Sequence, residues 1–170
     1  MTDEVARKEV FKAKMLIRNG TEADLNEVMD LVASCPPLVL YDDFTYWVLL
    51  RFFGDCCLVF EEDQSIVGYV SGVASTKQEG VFYLWQIAID PQHRGKRYAA
   101  SLIGEMIRIA RDKTCHSFQF SIAPDNEISL RVFSRISKEG KLPMSPIGKI
   151  TFIHPATGRK EIETLFEFKI

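Results

Sequence analysis

Residues 85–99 read WQIAIDPQHRGKRYA and combine the end of an apolar strand, a short basic turn and the start of a helix. The strand, Val81 to Ile89, is apolar almost throughout, which is typical of a central strand in a sheet. The turn would present backbone N–H groups and the positive end of the helix dipole to one point, where the segment Arg94 to Arg97 adds positive charge. Gly95 would let a phosphate group approach the backbone closely. The stretch predicts an anion site, and the alternative is a solvated basic turn without a ligand.

Strand and helix patterns on both sides of this stretch define the architecture. The predicted order is a strand over 15–18, a helix after Thr21, a helix from about Asp42, strands over 57–61, 66–74 and 81–89, a helix over 98–111, a strand over 117–122, a helix over 126–137, a loop over 140–148, and strands near 150–153 and 162–168. This order predicts an α+β fold with a mixed central sheet flanked by helices. We expect one domain over residues 15–170, after a polar extension over residues 1–14.

Composition excludes several classes of protein. The 170 residues carry 21 Lys+Arg and 23 Asp+Glu, which gives a net charge of -2. The chain therefore lacks the excess of positive charge that is typical of a general nucleic-acid binder. No apolar run approaches the roughly 18 residues of a membrane-spanning helix, and the first residues lack the apolar core of a signal peptide. The four cysteines form no C-x-x-C pair, so we expect no metal site and treat them as buried apolar residues. We expect a cytoplasmic protein.

The pattern D-P-x-x-R-G-K-x-x-A at residues 90–99, followed by an amphipathic helix, resembles the acetyl-CoA-binding segment of the GNAT superfamily of N-acetyltransferases. Arg97 stands where relatives carry a glycine, which is tolerable if its φ is negative. The resemblance implies the GNAT fold, with a splayed sheet, and acetyl-CoA as cosubstrate. It implies cofactor contacts from the end of the strand and from the turn, namely Ile87, Ala88, Ile89, Arg94, Gly95, Lys96, Arg97, Tyr98 and Ala99.

A second family element lies at Asn126, which opens a helix that also carries Ser129 and Phe133. The resemblance implies that these three residues contact the cofactor, with Asn126 on the pantetheine arm. The alternative for Asn126 is a plain helix N-cap. Phe133 occupies the position where many relatives have a tyrosine that protonates the departing thiolate. Phenylalanine has no proton to give, so the general acid is unassigned.

Three strings are similar to the L-2,4-diaminobutyrate acetyltransferases of ectoine biosynthesis: LWQIAI at 84–89, PDNEIS at 124–129 and E-x-E-x-L-F at 161–166. Relatives in that group also carry phenylalanine at the position of Phe133. The match is weakest at the acceptor site, where Val39 replaces an aspartate and cannot bind an ammonium group. The resemblance implies direct transfer of an acetyl group from acetyl-CoA to a primary amine of a small diamino acid. A covalent acyl-enzyme is not expected, because no cysteine lies near these motifs in sequence.

Carboxylates are the natural candidates for the acceptor site, because an attacking amine must lose a proton. We select Asp42, Asp43 and Glu161 as substrate-binding candidates, and Glu163 and Glu161 as candidate bases. The alternative for each is a solvated surface charge. Trp85 either walls the acceptor pocket or is a core aromatic.

Two alternative functions stay open. Val39 is compatible with a GNAT enzyme that acts on another amine, such as a polyamine, another amino acid or a protein N-terminus. Phe133 and Arg97 are compatible with a non-catalytic acyl-CoA-binding module. The C-terminal phenylalanines at 152, 166 and 168 would form a homodimer edge or simply finish the sheet.

Overall fold

A mixed seven-stranded sheet, in the order β1-β2-β3-β4-β5-β7-β6, organises the chain, with helices on both faces. The structure is a computed structural model that describes residues 14–153 and 157–170. The strands are β1 Met15–Asn19, β2 Cys57–Glu62, β3 Ser65–Ala74, β4 Val81–Ile89, β5 Ser117–Ile122, β6 Met144–Ile153 and β7 Lys160–Lys169; the helices are α1 Leu25–Ala33, α2 Asp43–Phe52, α3 Tyr98–Asp112 and α4 Glu127–Gly140. The predicted order and the mixed sheet are confirmed. The predicted extension over residues 1–14, apart from Lys14, lies outside the described residues.

Two cores lie on opposite faces of the sheet. Strand β2 shows the division, because consecutive side chains of a strand point to opposite faces. Leu58 and Phe60 pack toward α3 and α4, whereas Cys57 and Val59 pack toward α1 and α2. All four side chains are nearly inaccessible, which explains why β2 reads as a continuous apolar run. The sheet is therefore the middle of three layers.

The central pair of strands, β4 and β5, opens into a cleft. These strands are parallel and pair only from Val81 to Tyr83 on β4, opposite Ser117 to Gln119 on β5. Strand β4 continues to Ile89 and β5 to Ile122, but these halves no longer pair with each other. Backbone groups on the β5 side of β4 are therefore available to a ligand in the second half of the strand. This splay is the geometry that the family resemblance implies.

The predicted loop over residues 140–148 is too long, because the structure keeps only residues 141–143 as a connection and forms β6 from Met144 onward. Two proline residues suggested a loop, but Pro146 lies in an edge strand and pairs with Phe166 on β7. The register shifts between Pro146 and Gly148, as expected of a bulge, and proline is tolerated at edges and bulges because no ladder hydrogen bond is required there. The helix α4 likewise runs on to Gly140 rather than ending near Ser137.

Candidate active site

Two cavities lie side by side along the cleft between β4 and β5. The first, of about 300 Å³, is lined by the cationic side chains Arg94, Arg97 and Arg135, and we call it the basic cavity. The second, of about 880 Å³, is lined by Asp125, Glu161 and Glu163, and we call it the acidic cavity. Among the described residues, no carboxylate lines the basic cavity and no lysine, arginine or histidine lines the acidic one. The residues that line both are Pro37, Leu38, Ile87, Asn126, Ser129 and Phe133.

The turn between β4 and α3 forms one wall of the basic cavity. Asp90 fixes the start of this turn, since its Oδ1 accepts a hydrogen bond of 2.7 Å from the Gln92 N–H. Arg94 folds back so that its Nε donates to the Ile89 carbonyl at 3.4 Å. Gly95 has a φ of +81°, and no atom lies within 4 Å of the place where a Cβ would stand. The turn therefore leaves open space next to its backbone.

Arg97 departs from the sequence expectation. Its φ is +69°, in the left-handed region, so the condition of a negative φ is not met. It takes the glycine conformation despite its Cβ, and its guanidinium forms an ion pair with Glu139 on α4. Arg135 shares that carboxylate at 2.7 Å. Both arginines line the basic cavity, so Glu139 holds two cationic groups at its edge.

Lys96 and Tyr98 face away from the turn toward β2. The Lys96 ammonium lies 3.4 Å from Glu62, and Lys96 does not line either cavity. Tyr98 donates its hydroxyl hydrogen to Glu62 at 3.0 Å and stacks on Phe60 with ring centroids 4.1 Å apart. Tyr98 is nevertheless the first residue of α3 and lines the basic cavity, as does Ala99. Of the predicted turn residues, the structure thus leaves only Lys96 outside the cavity.

The second half of β4 and a cysteine form the opposite wall. Ile87, Ala88 and Ile89 line the basic cavity as predicted. Cys35, which follows α1, also lines it and donates its thiol hydrogen to the Ile89 carbonyl at 3.2 Å. A cysteine therefore does approach the cofactor segment in space, although none is near it in sequence. The other three cysteines are also buried and free.

Asn126, Ser129 and Phe133 separate the two cavities. Asn126 is the N-cap of α4, because its Oδ1 accepts a hydrogen bond of 3.0 Å from the Ser129 N–H. Asn126 is therefore a helix N-cap and also lines both cavities, so the two predicted alternatives are compatible. Phe133 is 3% exposed and stacks on Phe120 with centroids 3.9 Å apart. Its ring fills the space between the cavities with an apolar wall.

The acidic cavity contains a chain of hydrogen bonds across three strands. The Ser121 hydroxyl on β5 donates to Glu163 Oε2 on β7, and the hydroxyls of Tyr83 on β4 and Ser121 lie 2.8 Å apart. Burial raises the pKa of Tyr83, the hydrogen bond with Ser121 opposes that shift, and the charge of Glu163 adds to it. Glu161, two residues along β7, lines the same cavity. The two candidate bases therefore lie on one wall.

Aromatic residues close the acidic cavity on the other side. Trp85 is 41% exposed and meets the edge of Tyr41, with centroids 6.0 Å apart, so it is a wall residue and not part of the core. Beneath them, Tyr46 donates to Gln86 Oε1 at 3.0 Å, and Gln86 Nε2 donates to the Val39 carbonyl at 2.8 Å. This network fixes the segment that leads into α2 against β4.

Comparison with known proteins identifies the family to which the chain belongs. The model of the acetyltransferase (GNAT) family matches residues 25–137. The chain belongs to this family. The L-2,4-diaminobutyric acid acetyltransferases of Halomonas elongata and Chromohalobacter salexigens are each 30% identical to this acetyltransferase, over 77% and 79% of the chain and 69% and 70% of the relative, respectively. The diaminobutyrate acetyltransferase EctA from Paenibacillus lautus, solved with L-2,4-diaminobutyric acid and coenzyme A, superimposes with a TM-score of 0.83 at 23% identity, covering 93% of this chain and 96% of that chain.

Asp42 and Asp43 do not reach the site of this GNAT acetyltransferase. Asp42 caps α2, since its carboxylate accepts hydrogen bonds from the Thr45 N–H at 2.9 Å and the Thr45 hydroxyl at 3.0 Å. Those bonds lower the pKa of Asp42. Asp43 is exposed in the first turn, and neither residue lines the cavities. The prediction that Asp42 and Asp43 bind a cationic substrate is therefore not supported. Both lie at a helix N-terminus, where free N–H groups and the positive end of the helix dipole favour carboxylates.

Sequence reasoning missed Tyr83, Ser121, Tyr41 and Arg135. The register of β4 with β3 shifts between Ser71 and Gly72, so a bulge at Trp85 interrupts the alternation of faces along β4. Phe82 and Leu84 therefore lie in the core under α3 and α4, whereas Ala88 lies in the core under α1 and α2. A strict period of two would have assigned Tyr83 to the face of Ile87, which is the wrong one. Ser121 carries no signal either, since a serine in a strand is unremarkable until its partner across the sheet is known. Within residues 14–153 and 157–170, no three His, Cys, Asp or Glu side chains are placed to hold a metal ion. No helix in the described part of the chain has the length and apolar character needed to cross a membrane.

Proposed function

We propose that this GNAT acetyltransferase transfers the acetyl group of acetyl-CoA to a primary amine of a small diamino acid, with L-2,4-diaminobutyrate as the favoured acceptor. The observation that carries the proposal is the pair of joined cavities of opposite charge along the β4–β5 cleft. A basic cavity suits a polyanionic cosubstrate, and an acidic cavity suits a cationic amine. Their shared wall is where a thioester and an amine would meet.

The cofactor half is supported by the fit between the basic cavity and coenzyme A. Arg94 and the open backbone at Gly95 lie at the N-terminal end of α3, where the helix dipole favours phosphate. The unpaired side of β4 from Leu84 onward offers backbone hydrogen-bonding groups to a pantetheine arm. Asn126 makes one hydrogen bond through Oδ1 and lines the same space, so its amide nitrogen is available to that arm.

The acceptor half is supported by the carboxylates of the acidic cavity and by the names of the relatives. Glu161 and Glu163 would hold the ammonium group of the acceptor, and one of them would take the proton that the attacking nitrogen loses. The curated relatives at 30% identity are diaminobutyrate acetyltransferases. The segment before α2 lines the cavity with Pro37, Leu38, Val39 and Tyr41, so it contributes no carboxylate there.

The chain's own residues then account for the steps of direct transfer. The unpaired N–H groups of β4 would polarise the thioester carbonyl, as backbone donors do in an oxyanion hole. The wall formed by Phe133, Phe120 and Ile87 would exclude water from the reacting atoms. Phe133 offers no proton, so the leaving thiolate would be protonated through solvent.

A panel of amines tests the proposal. The purified protein is incubated with acetyl-CoA and each amine, free thiol is measured, and the product is identified by mass spectrometry. We expect the highest kcat/KM with L-2,4-diaminobutyrate. Two controls each lack one of its amino groups: 2-aminobutyrate and 4-aminobutyrate. Arg94→Glu serves as the control for the cosubstrate and should raise the KM for acetyl-CoA, because it reverses the charge of the turn.

The same panel distinguishes the alternatives. Activity confined to polyamines, other amino acids or peptide N-termini would contradict diaminobutyrate as the acceptor but would still support acetyl transfer to an amine. Tight acetyl-CoA binding without turnover on any amine would contradict both and indicate a binding module.

A further inference from the structure

We propose that Tyr83 is a catalytic residue that takes the proton of the attacking amine and passes it through Ser121 to Glu163. This inference rests on the proposed function and deepens it, since it names the path from the amine to the base. The three residues come from three neighbouring strands, β4, β5 and β7, and all line the acidic cavity. Neither Tyr83 nor Ser121 belongs to a motif of the sequence.

The direction of the hydrogen bonds follows from the chemistry of the groups. An ionised carboxylate can only accept, so the Ser121 hydroxyl hydrogen is committed to Glu163 Oε2. Ser121 has only that one hydrogen, so the 2.8 Å contact with Tyr83 must be donated by the Tyr83 hydroxyl. The Tyr83 hydrogen is thereby also committed. The remaining lone pair of Tyr83 can then only accept, and an amine N–H is the donor that it suits.

The surroundings of Tyr83 keep the relay neutral before the reaction. Burial raises the pKa of the Tyr83 hydroxyl, so at neutral pH it holds its proton and transmits one without becoming a phenolate first. Tyr41 and Glu163 are the titratable groups whose charge acts on Tyr83, and Glu161 lines the same cavity. Each of these side chains is half-buried, so the end of the relay remains in contact with solvent.

The proton balance of the step closes. The acceptor attacks as the free amine, after its ammonium group has lost one proton to solvent. As the new bond forms between the amine nitrogen and the carbonyl carbon, the π electrons of the carbonyl move to its oxygen and the nitrogen becomes acidic. Its proton passes to Tyr83 Oη, the Tyr83 proton passes to Ser121 Oγ, and the Ser121 proton passes to Glu163 Oε2. Both hydroxyls end with one proton, as they began. Glu163 becomes a carboxylic acid and then releases the proton to solvent. When the carbonyl re-forms, the C–S bond breaks and the coenzyme A thiolate leaves, to be protonated through solvent.

The experiment compares Tyr83→Phe, Ser121→Ala and their combination, with the amine that the wild-type enzyme acetylates fastest. Tyr83→Phe keeps the ring and removes only the relay atom. We expect kcat at pH 7 to fall roughly 100-fold in each single variant, as when a general base is disconnected, with the KM for acetyl-CoA unchanged. The double variant should be no slower than either single one, because each substitution alone already interrupts proton transfer to Glu163. The defect should shrink as pH rises and hydroxide replaces the relay.

Ser117→Ala is the matched control. Ser117 also lies on β5 and donates to a glutamate on β7, with its Oγ 2.6 Å from Glu167 Oε1, but it does not line either cavity. We expect wild-type kcat from this variant. The proposal is overturned if Ser117→Ala and Ser121→Ala lose the same activity, or if kcat of Tyr83→Phe stays at the wild-type value. It is also overturned if the losses of kcat in Tyr83→Phe and Ser121→Ala multiply in the double variant.

The outcome also separates this inference from the proposed function. A wild-type enzyme that prefers an amine other than diaminobutyrate contradicts the proposed acceptor, and the variants then test the relay on that other amine. A wild-type enzyme that acetylates no amine overturns both proposals.

Discussion

Arg97 adopts a backbone conformation that an L-amino acid enters only at a cost, because its Cβ approaches the following carbonyl oxygen. The ion pair with Glu139 on α4 accompanies this conformation and attaches the turn before α3 to the opposite side of the basic cavity. The hydrogen bonds from Arg97 and Arg135 together hold the pKa of Glu139 at about 2. Arg97 therefore combines a strained backbone with a side chain that joins two helices.

Replacement of Arg97 isolates the backbone contribution. Arg97→Gly and Arg97→Ala both lose the ion pair, but only glycine relieves the left-handed conformation, so the glycine variant should be the more stable. Arg108 is the control, because it is also ion-paired and exposed but lies within α3, where alanine is favoured over glycine. We expect the order of Tm values to reverse between the two sites, by roughly 2–4 °C each. A higher Tm for Arg97→Ala than for Arg97→Gly would contradict the assigned conformation.

At the scale of elements, α2 shows how a cap can look like a binding residue. Asp42→Ala removes both hydrogen bonds to Thr45 and should lower the Tm without changing the KM for the amine. Glu161→Ala should raise the KM for the amine and leave the Tm unchanged. This half-buried side chain lines the acidic cavity and makes no hydrogen bond within the described residues. Thermal unfolding and steady-state kinetics of the two variants decide the matter. A raised KM in Asp42→Ala would restore it as a substrate residue.

The elements themselves are largely predictable from the sequence, and the acceptor site is not. The order of strands and helices follows from apolar periodicity, which local sequence encodes, and the cofactor turn from a contiguous motif. Glu163 and Ser121 are 42 residues apart and meet only because β5 and β7 pair. That pairing is a property of the whole sheet, and no local pattern reports it. The strand through Pro146 was missed for the same reason, since only its edge position makes the proline acceptable.

At the scale of the whole molecule, stability toward acid should depend on Asp24. This 7% exposed carboxylate accepts two hydrogen bonds of 2.8 Å from the Arg18 guanidinium and another from the Thr21 N–H, and the bonds from Arg18 are the main cause of its lowered pKa. A pKa below that of the unfolded chain stabilises the fold at neutral pH, and this stabilisation is lost as pH falls through the folded pKa.

We predict that the Tm of the wild type falls at acidic pH, and that this fall is smaller in Asp24→Asn. The variant should have a lower Tm than the wild type at pH 7 and a smaller difference between pH 7 and the lowest pH at which unfolding stays reversible. Asp112→Asn, which alters an exposed carboxylate on α3, is the control and should follow the wild-type curve more closely. Parallel curves for Asp24→Asn and the wild type would refute the assignment.

The hairpin of β6 and β7 has a consequence for how such enzymes diversify. It supplies Glu161 and Glu163 to the acidic cavity, whereas the turn before α3 and the second half of β4 supply the basic one. The two glutamates and the basic turn are thus encoded in separate segments of the chain, whereas β4 and the start of α4 line both cavities. Under the proposed function, substitutions within the last 27 residues, from Met144 onward, can change the acceptor while the basic turn keeps its use of the acyl donor. The shared wall of β4 and α4 has less freedom to change, because it serves both substrates.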